Sequence, residues 1–308
     1  MENTRAKTTR NSLILLLTAT IWGMAFVSQS KGMDYMHPFT FNGVRSLIGA
    51  AGILVYILIS RKIAGDKAAK LDWKLNVKAG LLCGIFLTIA STLQQFGIKY
   101  TSVGKAGFIT TLYIIFVPMF GIFLKKKVAP VVWAAAGMAA VGMYLLCMTE
   151  SLRLGAGDIM VFLCAIAFAI QIMTVDHYAA RIDGAVVSCI QFTVCGVVCC
   201  IGALIWGQPT FGQLQDGLGA LLYAGVLSCG VGYTLQIVGQ KGLNPTVAAL
   251  IMSLESVIAT ISGWIAYKIG FLSTDQTLTP RQIAGCVIVF AAVILVQLPP
   301  EWFRFGKK

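Results

Sequence analysis

Two charged residues lie deep inside long apolar stretches of this sequence, Glu255 and Arg45. Glu255 lies about ten residues into its stretch, or roughly 15 Å along a helix, and Arg45 lies about seven residues, or roughly 10 Å, from one end of its own. A charge inside a membrane costs about 2.5–3.5 kcal/mol on insertion scales, so it is expected to face a cavity or a partner. Glu255 could contact a cationic or hydrogen-bonding substrate or take up a proton. Alternatively, Glu255 and Arg45 form a pair that holds helices together, or that breaks and reforms between two states.

A repeated string relates two parts of the chain. The pattern T-L-Q-x-x-G-x-K occurs at residues 92–99 and again at residues 234–241. The same offset places Thr111-Leu112-Tyr113 opposite Ser253-Leu254-Glu255, so Tyr113 is the repeat counterpart of Glu255. Internal repeats of this kind are typical of membrane proteins that hold a site between two related halves.

Uncharged polar residues form a matched stripe in each half. The residues concerned are Tyr233, Gln236 and Gln240 on one predicted helix, and Ser91, Gln94 and Gln95 on the other. They could line a polar cavity or make hydrogen bonds between helices, and their presence in both halves favours the cavity. Gln94 and Gln95 cannot point the same way, and we predict that Gln94 faces inward because it matches Gln236.

The composition indicates that the helices carrying these residues lie in a membrane. The chain is 57% hydrophobic and 12% charged with a mean hydropathy of +0.82, whereas soluble domains carry about 25% charged residues. About 20 apolar residues span a bilayer as a helix. We count ten such runs, at roughly 12–30, 38–60, 77–98, 104–124, 129–148, 157–176, 185–206, 217–239, 245–268 and 280–298. Pro118 lies inside the fourth run and is expected to kink it.

The distribution of basic residues predicts an orientation. With ten spans, one set of loops and tails carries seventeen of the 24 Lys and Arg residues, the other set carries six, and Arg45 lies within a span. The positive-inside rule then puts both termini in the cytoplasm. The net charge of +12 therefore reflects orientation and contacts with anionic lipid, not nucleic-acid binding.

An odd number of spans in each half predicts that the halves are inverted. With five spans per half, the second half crosses the membrane upside down, so Lys99 faces outside and Lys241 faces inside. We therefore predict an all-α integral membrane protein of ten transmembrane helices in two inverted five-helix repeats. The predicted division is a cytoplasmic tail at 1–11, a first repeat at 12–148, a second repeat at 157–298 and a cytoplasmic tail at 299–308.

The predicted site lies between these halves, because polar groups inside a membrane must face protein or water rather than lipid. Trp22 is deep for an interfacial anchor, so packing and substrate stacking both remain open for it. The candidate residues for a substrate path are Trp22, Arg45, Gln94 and Tyr113 from the first half, and Tyr233, Gln236 and Glu255 from the second.

Motifs for other chemistry are missing from the sequence. It contains no H-E-x-x-H, G-x-S-x-G or G-x-x-x-x-G-K-[ST] pattern, so neither an enzyme nor an ATP-driven pump is predicted. None of the nine cysteines forms a C-x-x-C pair, and most lie within apolar runs, which favours packing over metal or disulfide use. We expect no metal and no cofactor.

Several segments resemble the EamA branch of the drug/metabolite transporter superfamily. They are the W-G-x-x-F of Trp22–Phe26, the F-x-x-x-R of Phe41–Arg45, the S-L-E-S-V-I-A run at 253–259 and the Q-I-A-G-C-V-I-V run at 282–289. The resemblance covers about residues 12–298 and implies a ten-helix carrier for small metabolites, often an exporter. The chain departs from the family pattern at Lys125–Lys127 after the fourth span, and at Lys268 with a longer Phe271–Thr279 loop after the ninth.

Together, repeat and resemblance predict a secondary transporter in the plasma membrane, a bacterial inner membrane. It would move a small metabolite, amino acid or drug-like solute by alternating access, with export favoured. Uptake of a metabolite, lipid flipping, a channel and a non-transport scaffold remain alternatives, and proton coupling is open. We expect membrane lipid and the solute as partners, and a monomer or weak dimer.

Overall fold

The computed structural model describes residues 2–65, 71–124, 130–147, 155–272 and 276–297, with only the backbone for residues 2–7, 143, 146, 147, 296 and 297. Regular secondary structure within these ranges is entirely helical. The Lys125–Lys127 cluster, part of the Phe271–Thr279 loop and the predicted tail at 299–308 lie outside the described residues.

The helices follow one another with short connections. In chain order they are α1 Glu2–Gly32, α2 Pro38–Ala64, α3 Trp73–Ile98, α4 Val103–Thr111, α5 Tyr113–Phe123, α6 Pro130–Cys147, α7 Ala156–Tyr178, α8 Gly184–Gly202, α9 Phe211–Asp216, α10 Leu218–Leu222, α11 Tyr233–Gln240, α12 Pro245–Met252, α13 Leu254–Lys268 and α14 Pro280–Gln297. Two π-helical segments, Ala203–Gly207 and Tyr223–Gly232, extend α8 and connect α10 to α11.

Eight helical segments of the described chain are long and apolar enough to cross a membrane. They are Thr8–Gly32, Pro38–Ala64, Trp73–Ile98, Val103–Phe123, Ala156–Tyr178, Gly184–Gly207, Leu218–Gln240 and Pro245–Lys268. The fifth and tenth predicted runs correspond to α6 and α14, which contain the shorter apolar stretches Pro130–Gly142 and Pro280–Leu295. Helix α1 also includes residues 2–11, which the sequence assigns to a tail. The short helix α9 was not predicted.

Helix starts follow from local capping chemistry. Proline occupies the first position of α2 and α12, where a missing N–H costs little. His37 Nδ1 accepts from Phe39 N at 3.3 Å, and Asn244 Oδ1 accepts from Thr246 N at 2.9 Å. Burial, followed by the charge of Lys99, lowers the pKa of His37, which favours the neutral ring that can accept this bond.

The fourth and ninth spans are interrupted within one residue of equivalent positions in the repeat. Helix α4 ends at Thr111 and α12 ends at Met252, and a turn residue separates each from the next helix. Thr111 Oγ1 donates to Phe108 O at 2.8 Å, and Ser253 Oγ donates to Leu250 O at 2.7 Å. Such bonds to a preceding carbonyl bend helices. Pro118 lies within α5, downstream of the interruption, so the break in this span is not at the proline.

Helices from the two parts of the chain pack closely on one another. Helix α3 packs against α7 and α8, and its counterpart, the Leu218–Gln240 segment, packs against α1 and α2. Helices α2 and α8 contact each other, as do α6 and α14. Exchanging the two parts of the chain therefore leaves this set of helix pairs unchanged. Glycine permits one of the closest approaches, because a Cβ on Gly23 of α1 would lie 2.7 Å from Glu255 O in α13.

Candidate functional site

A cavity lies among the helices where the two parts of the chain meet. Its empty volume is about 560 Å³, open space at its mouth included. The side chains that line it are Trp22, Phe26, Gln29, Asn42, Arg45, Leu87, Ser91, Gln94, Thr110, Tyr113, Phe168, Gln171, Ile172, Phe192, Ser228, Cys229, Tyr233, Gln236 and Glu255.

The structure brings all seven sequence-predicted site residues to this cavity. Trp22, Arg45, Gln94, Tyr113, Tyr233, Gln236 and Glu255 are all among the lining residues. Two other residues of the polar stripes do not line it. Gln95 Nε2 donates to Gln29 O at 3.3 Å, and Gln240 Nε2 donates to Ile172 O at 3.4 Å. The seven predicted site residues thus share one location in the structure, and their role in binding a solute stays a prediction.

Glu255 forms its closest polar contact with its repeat counterpart. Tyr113 Oη donates to Glu255 Oε1 at 2.9 Å, and the two residues are 142 positions apart. Both side chains are buried, with 2% and 4% exposure. Tyr113 is the first residue of α5 and Glu255 is the second residue of α13, so each lies in the first turn after the interruption of its span.

Arg45 is held by a neutral neighbour and not by Glu255. Its Nε donates to Asn42 Oδ1 at 3.0 Å, and its guanidinium lies 5.4 Å from the ring centroid of Phe41. In the described part of the chain, no carboxylate oxygen lies within 4.0 Å of an Arg45 nitrogen. The Arg45–Glu255 pair that the sequence allowed is therefore not formed in this structure.

Aromatic side chains form one part of the cavity wall. The rings of Trp22 and Tyr233 have centroids 4.5 Å apart, and those of Phe192 and Tyr233 are 5.0 Å apart and nearly perpendicular. Trp22 Nε1 is buried and has no hydrogen-bond partner among the described residues. For Trp22, packing is thus observed, and its aromatic face can also contact an apolar ligand.

Amide side chains supply further polar groups. Gln171 and Gln236 form a reciprocal pair, with nitrogen–oxygen distances of 3.2 and 3.5 Å. Gln94 Nε2 donates to Thr110 Oγ1 at 3.2 Å. From the sequence, lining a cavity and bonding between helices were alternatives. In the structure, the same residues do both.

Several lining residues were not predicted from the sequence, although the sequence contains a signal for some of them. Phe26 and Gln29 recur at the 142-residue offset as Phe168 and Gln171, a second repeated pattern of the form F-x-x-Q. Six pairs of lining residues share that offset, namely Phe26 and Phe168, Gln29 and Gln171, Leu87 and Cys229, Ser91 and Tyr233, Gln94 and Gln236, and Tyr113 and Glu255. Asn42 was also missed, although it lies one turn before Arg45 on the same face of α2.

A partly buried ion pair joins the starts of α4 and α7. Lys105 Nζ lies 2.6 Å from Asp158 Oδ2, and Asp158 is 4% exposed. Thr101 Oγ1 and Gly155 N also donate to this carboxylate, at 2.9 and 2.8 Å. The two helices belong to different parts of the repeat, so this pair ties them together outside the cavity lining.

Within the described residues, no group of three or more His, Cys, Asp or Glu side chains is arranged to hold a metal ion. Cys195 and Cys199 are buried close to Asn42, with Sγ atoms 3.8 and 3.2 Å from its Nδ2. These thiols thus serve as weak acceptors in a polar network behind Arg45.

Apolar helices of this length and number define a multi-pass membrane protein. The model of the EamA-like transporter family matches residues 10–148 and, a second time, residues 155–298. The chain belongs to the EamA-like transporter family, which confirms the resemblance seen in the sequence.

Similar proteins agree with this assignment. An uncharacterized transporter of Archaeoglobus fulgidus is 28% identical over 290 residues, which cover 92% of this chain and 84% of that protein. The uncharacterized transporter YwfM of Bacillus subtilis is 24% identical, with 94% of each chain covered. A protein crystal structure matches the fold with a TM-score of 0.74 and 16% identity, covering 96% of this chain and 99% of the other. These findings support membrane transport of an unspecified substrate.

Proposed function

We propose that this protein is a secondary transporter that moves a small organic solute across the membrane through the cavity between its two halves. The observation that carries the proposal is the direct contact of Tyr113 with Glu255, its repeat counterpart, in the cavity wall. A site at the meeting point of two repeats can be exposed to either side by small rearrangements of one half against the other.

The proposed architecture is ten transmembrane helices in two inverted repeats. Ten apolar helical segments, five before residue 148 and five after residue 155, support it. Five spans in the first half give the second half the opposite orientation. The excess of Lys and Arg in one set of loops supports cytoplasmic termini. We further propose the plasma membrane as the location and, from the family resemblance, export as the direction.

Alternating access follows from that architecture. Two nearly equivalent halves can pack in two nearly equivalent ways, each leaving the cavity open to one side. Interrupted spans at Leu112 and Ser253 give each half a place where its helix can change direction beside the cavity. No hydrolysis is required, because the solute gradient or an ion gradient supplies the driving force.

Transport by purified protein in lipid vesicles tests the proposal. Vesicles with and without protein are incubated with a pool of small metabolites, with and without a proton gradient, and their contents are measured by mass spectrometry. We expect saturable, protein-dependent accumulation or release of at least one solute. Saturation separates a carrier from a channel, and movement of labelled phospholipid with no solute transport would identify a flippase and overturn the proposal.

A matched pair of variants assigns the transport to the cavity. Glu255→Gln changes a buried cavity residue, whereas Asp216→Asn changes a carboxylate of α9 that does not line the cavity. We expect the first variant to transport less and the second to transport normally. Equal activity of both variants and wild type would contradict the proposed path.

A further inference from the structure

We propose that the solute carries one carboxylate group, that Arg45 binds this group, and that the rest of the solute is apolar and lies along the aromatic wall. This inference rests on the proposed function of the cavity and adds the chemical class of what enters it. The lone buried cation of the cavity carries the inference.

Arg45 is almost completely buried, with 5% exposure, yet it lacks a negatively charged partner in the described part of the chain. Among the described residues, its one hydrogen bond uses Nε and goes to the neutral amide oxygen of Asn42. The two terminal amino groups make no hydrogen bond to described residues, yet they are not among the fully buried polar atoms that lack a partner. They therefore keep some exposed surface and, because Arg45 lines the cavity, they face the cavity space. A guanidinium in this state has a free fork of N–H donors.

The unmet requirement of this group defines its ligand. A buried charge is costly unless an opposite charge or several hydrogen bonds compensate it. The planar fork of arginine matches a carboxylate, which accepts two parallel N–H bonds. Glu255 is the one carboxylate among the lining residues, and it bonds to Tyr113 and not to Arg45. An acidic group on the solute can therefore supply what the protein does not.

The rest of the cavity restricts the solute further. Arg45 is the single lysine or arginine among the lining residues, so a doubly charged phosphate would keep an uncompensated charge. Trp22, Tyr233 and Phe192 present a continuous aromatic surface in the same cavity. Apolar surface gains free energy from burial there, roughly in proportion to its area. A monocarboxylate with an apolar body meets both conditions.

Binding of three matched probes tests the inference on the purified full-length protein in lipid nanodiscs near neutral pH. The probes are 3-phenylpropanoate, the neutral 3-phenylpropan-1-ol and the cationic 3-phenylpropylamine, which share one apolar body. Calorimetry measures each affinity, and protein-free nanodiscs correct for partition into lipid. We expect the acid to bind at least about tenfold more tightly than the alcohol or the amine, as a charge-assisted bidentate contact would give. Equal or tighter binding of the alcohol or the amine would overturn the inference.

Three variants locate the preference at Arg45. Arg45→Gln should remove the preference for the acid. Asn42→Asp should reduce it without changing Arg45, because an aspartate at position 42 would form an ion pair with the guanidinium. Arg181→Gln is the control, since Arg181 is exposed and lies outside the cavity lining, where it donates to His177 O at 3.3 Å and lies 5.8 Å from the ring centroid of Tyr178. An unchanged preference in Asn42→Asp and Arg45→Gln would contradict the assignment. If Arg45→Gln does not fold, Asn42→Asp and the wild-type comparison still decide.

The outcome is separable from that of the proposed function. Preference for the acid in binding, together with no transport of any solute, would leave the anion site intact and overturn the transporter. Saturable transport of amines or neutral solutes, unaffected by excess 3-phenylpropanoate, would overturn the anion site and leave the transporter.

Discussion

Tyr113 Oη donates a hydrogen bond to Glu255 Oε1 at 2.9 Å, across the same 142-residue offset that separates the two T-L-Q-x-x-G-x-K strings. Two positions exchanged by a two-fold axis lie at equal distances on opposite sides of it. They can touch only if both are close to that axis. This contact therefore supports a pseudo-axis that passes through the cavity beside these two side chains.

Removing the Tyr113 hydroxyl tests the importance of this contact. Tyr113→Phe keeps the ring and removes the donor, and a buried acceptor left without its partner costs about 1–3 kcal/mol. We expect the transport rate to fall about tenfold or more. Tyr100→Phe is the control, because Tyr100 is exposed and does not line the cavity. Normal transport by Tyr113→Phe would show that the contact is incidental.

Glu255 allows a test of proton coupling. If transport includes release and uptake of a proton at this carboxylate, the wild-type rate should vary between about pH 5 and pH 8, the range in which a gradient across a membrane is usually imposed. Glu255→Gln keeps the shape and cannot release a proton, so its rate should be lower and independent of pH. The measurement is uptake into vesicles at fixed solute and varied pH. Parallel pH profiles for the two proteins would refute proton exchange at Glu255.

Gly23 permits the close packing of α1 on α13 beside Glu255. A Cβ at this position would lie 2.6 Å from Ile258 Cβ and 2.7 Å from Glu255 O, and overpacking of this kind costs about 1–3 kcal/mol. We expect Gly23→Ala to lower the thermal unfolding midpoint in detergent. Gly52→Ala in α2 should leave it unchanged or raise it, because no atom lies within 4 Å of a Cβ there. Equal effects of the two substitutions would show that close packing at Gly23 does not limit stability.

The Lys105–Asp158 ion pair couples the starts of α4 and α7. A double-mutant cycle with Lys105→Gln and Asp158→Asn should give an interaction energy of about 0.5–3 kcal/mol in unfolding experiments. Asp158→Asn should be the more harmful single change, because the Thr101 and Gly155 donors also depend on this carboxylate. Additive effects would show that the two side chains act independently.

Apolar length and proline positions were sufficient to predict most apolar spans within a few residues, but not the extension of α1 to Glu2 or the short helix α9. They act locally, since a span needs about 20 apolar residues and a helix start tolerates proline. The interruptions at Leu112 and Ser253 escaped prediction because they depend on hydroxyl bonds to the preceding turn. The two parts of the chain could be related because the repeated strings were close copies of each other.

Helix rotation limits what the sequence predicts about the site. Depth identified Arg45 and Glu255 as residues that face the interior, but their distance from one another depends on how α2 and α13 are turned. Gln240 shares a face with Gln236 by periodicity, yet it lies beyond the cavity. Apolar lining residues such as Phe192 carry no sequence signal that separates them from ordinary core.

Thiol accessibility at the repeat pair Gln94 and Gln236 is the most direct test of the central claim. In a functional background with all nine native cysteines replaced, Gln94→Cys and Gln236→Cys are treated with a membrane-impermeant thiol reagent from each side of sealed vesicles. Ile85→Cys is the control, because Ile85 is half exposed on the outer face of α3. We expect both cavity positions to react from both sides and Ile85→Cys to react from neither. Cavity positions that react from neither side, or from one side only under all conditions, would contradict it.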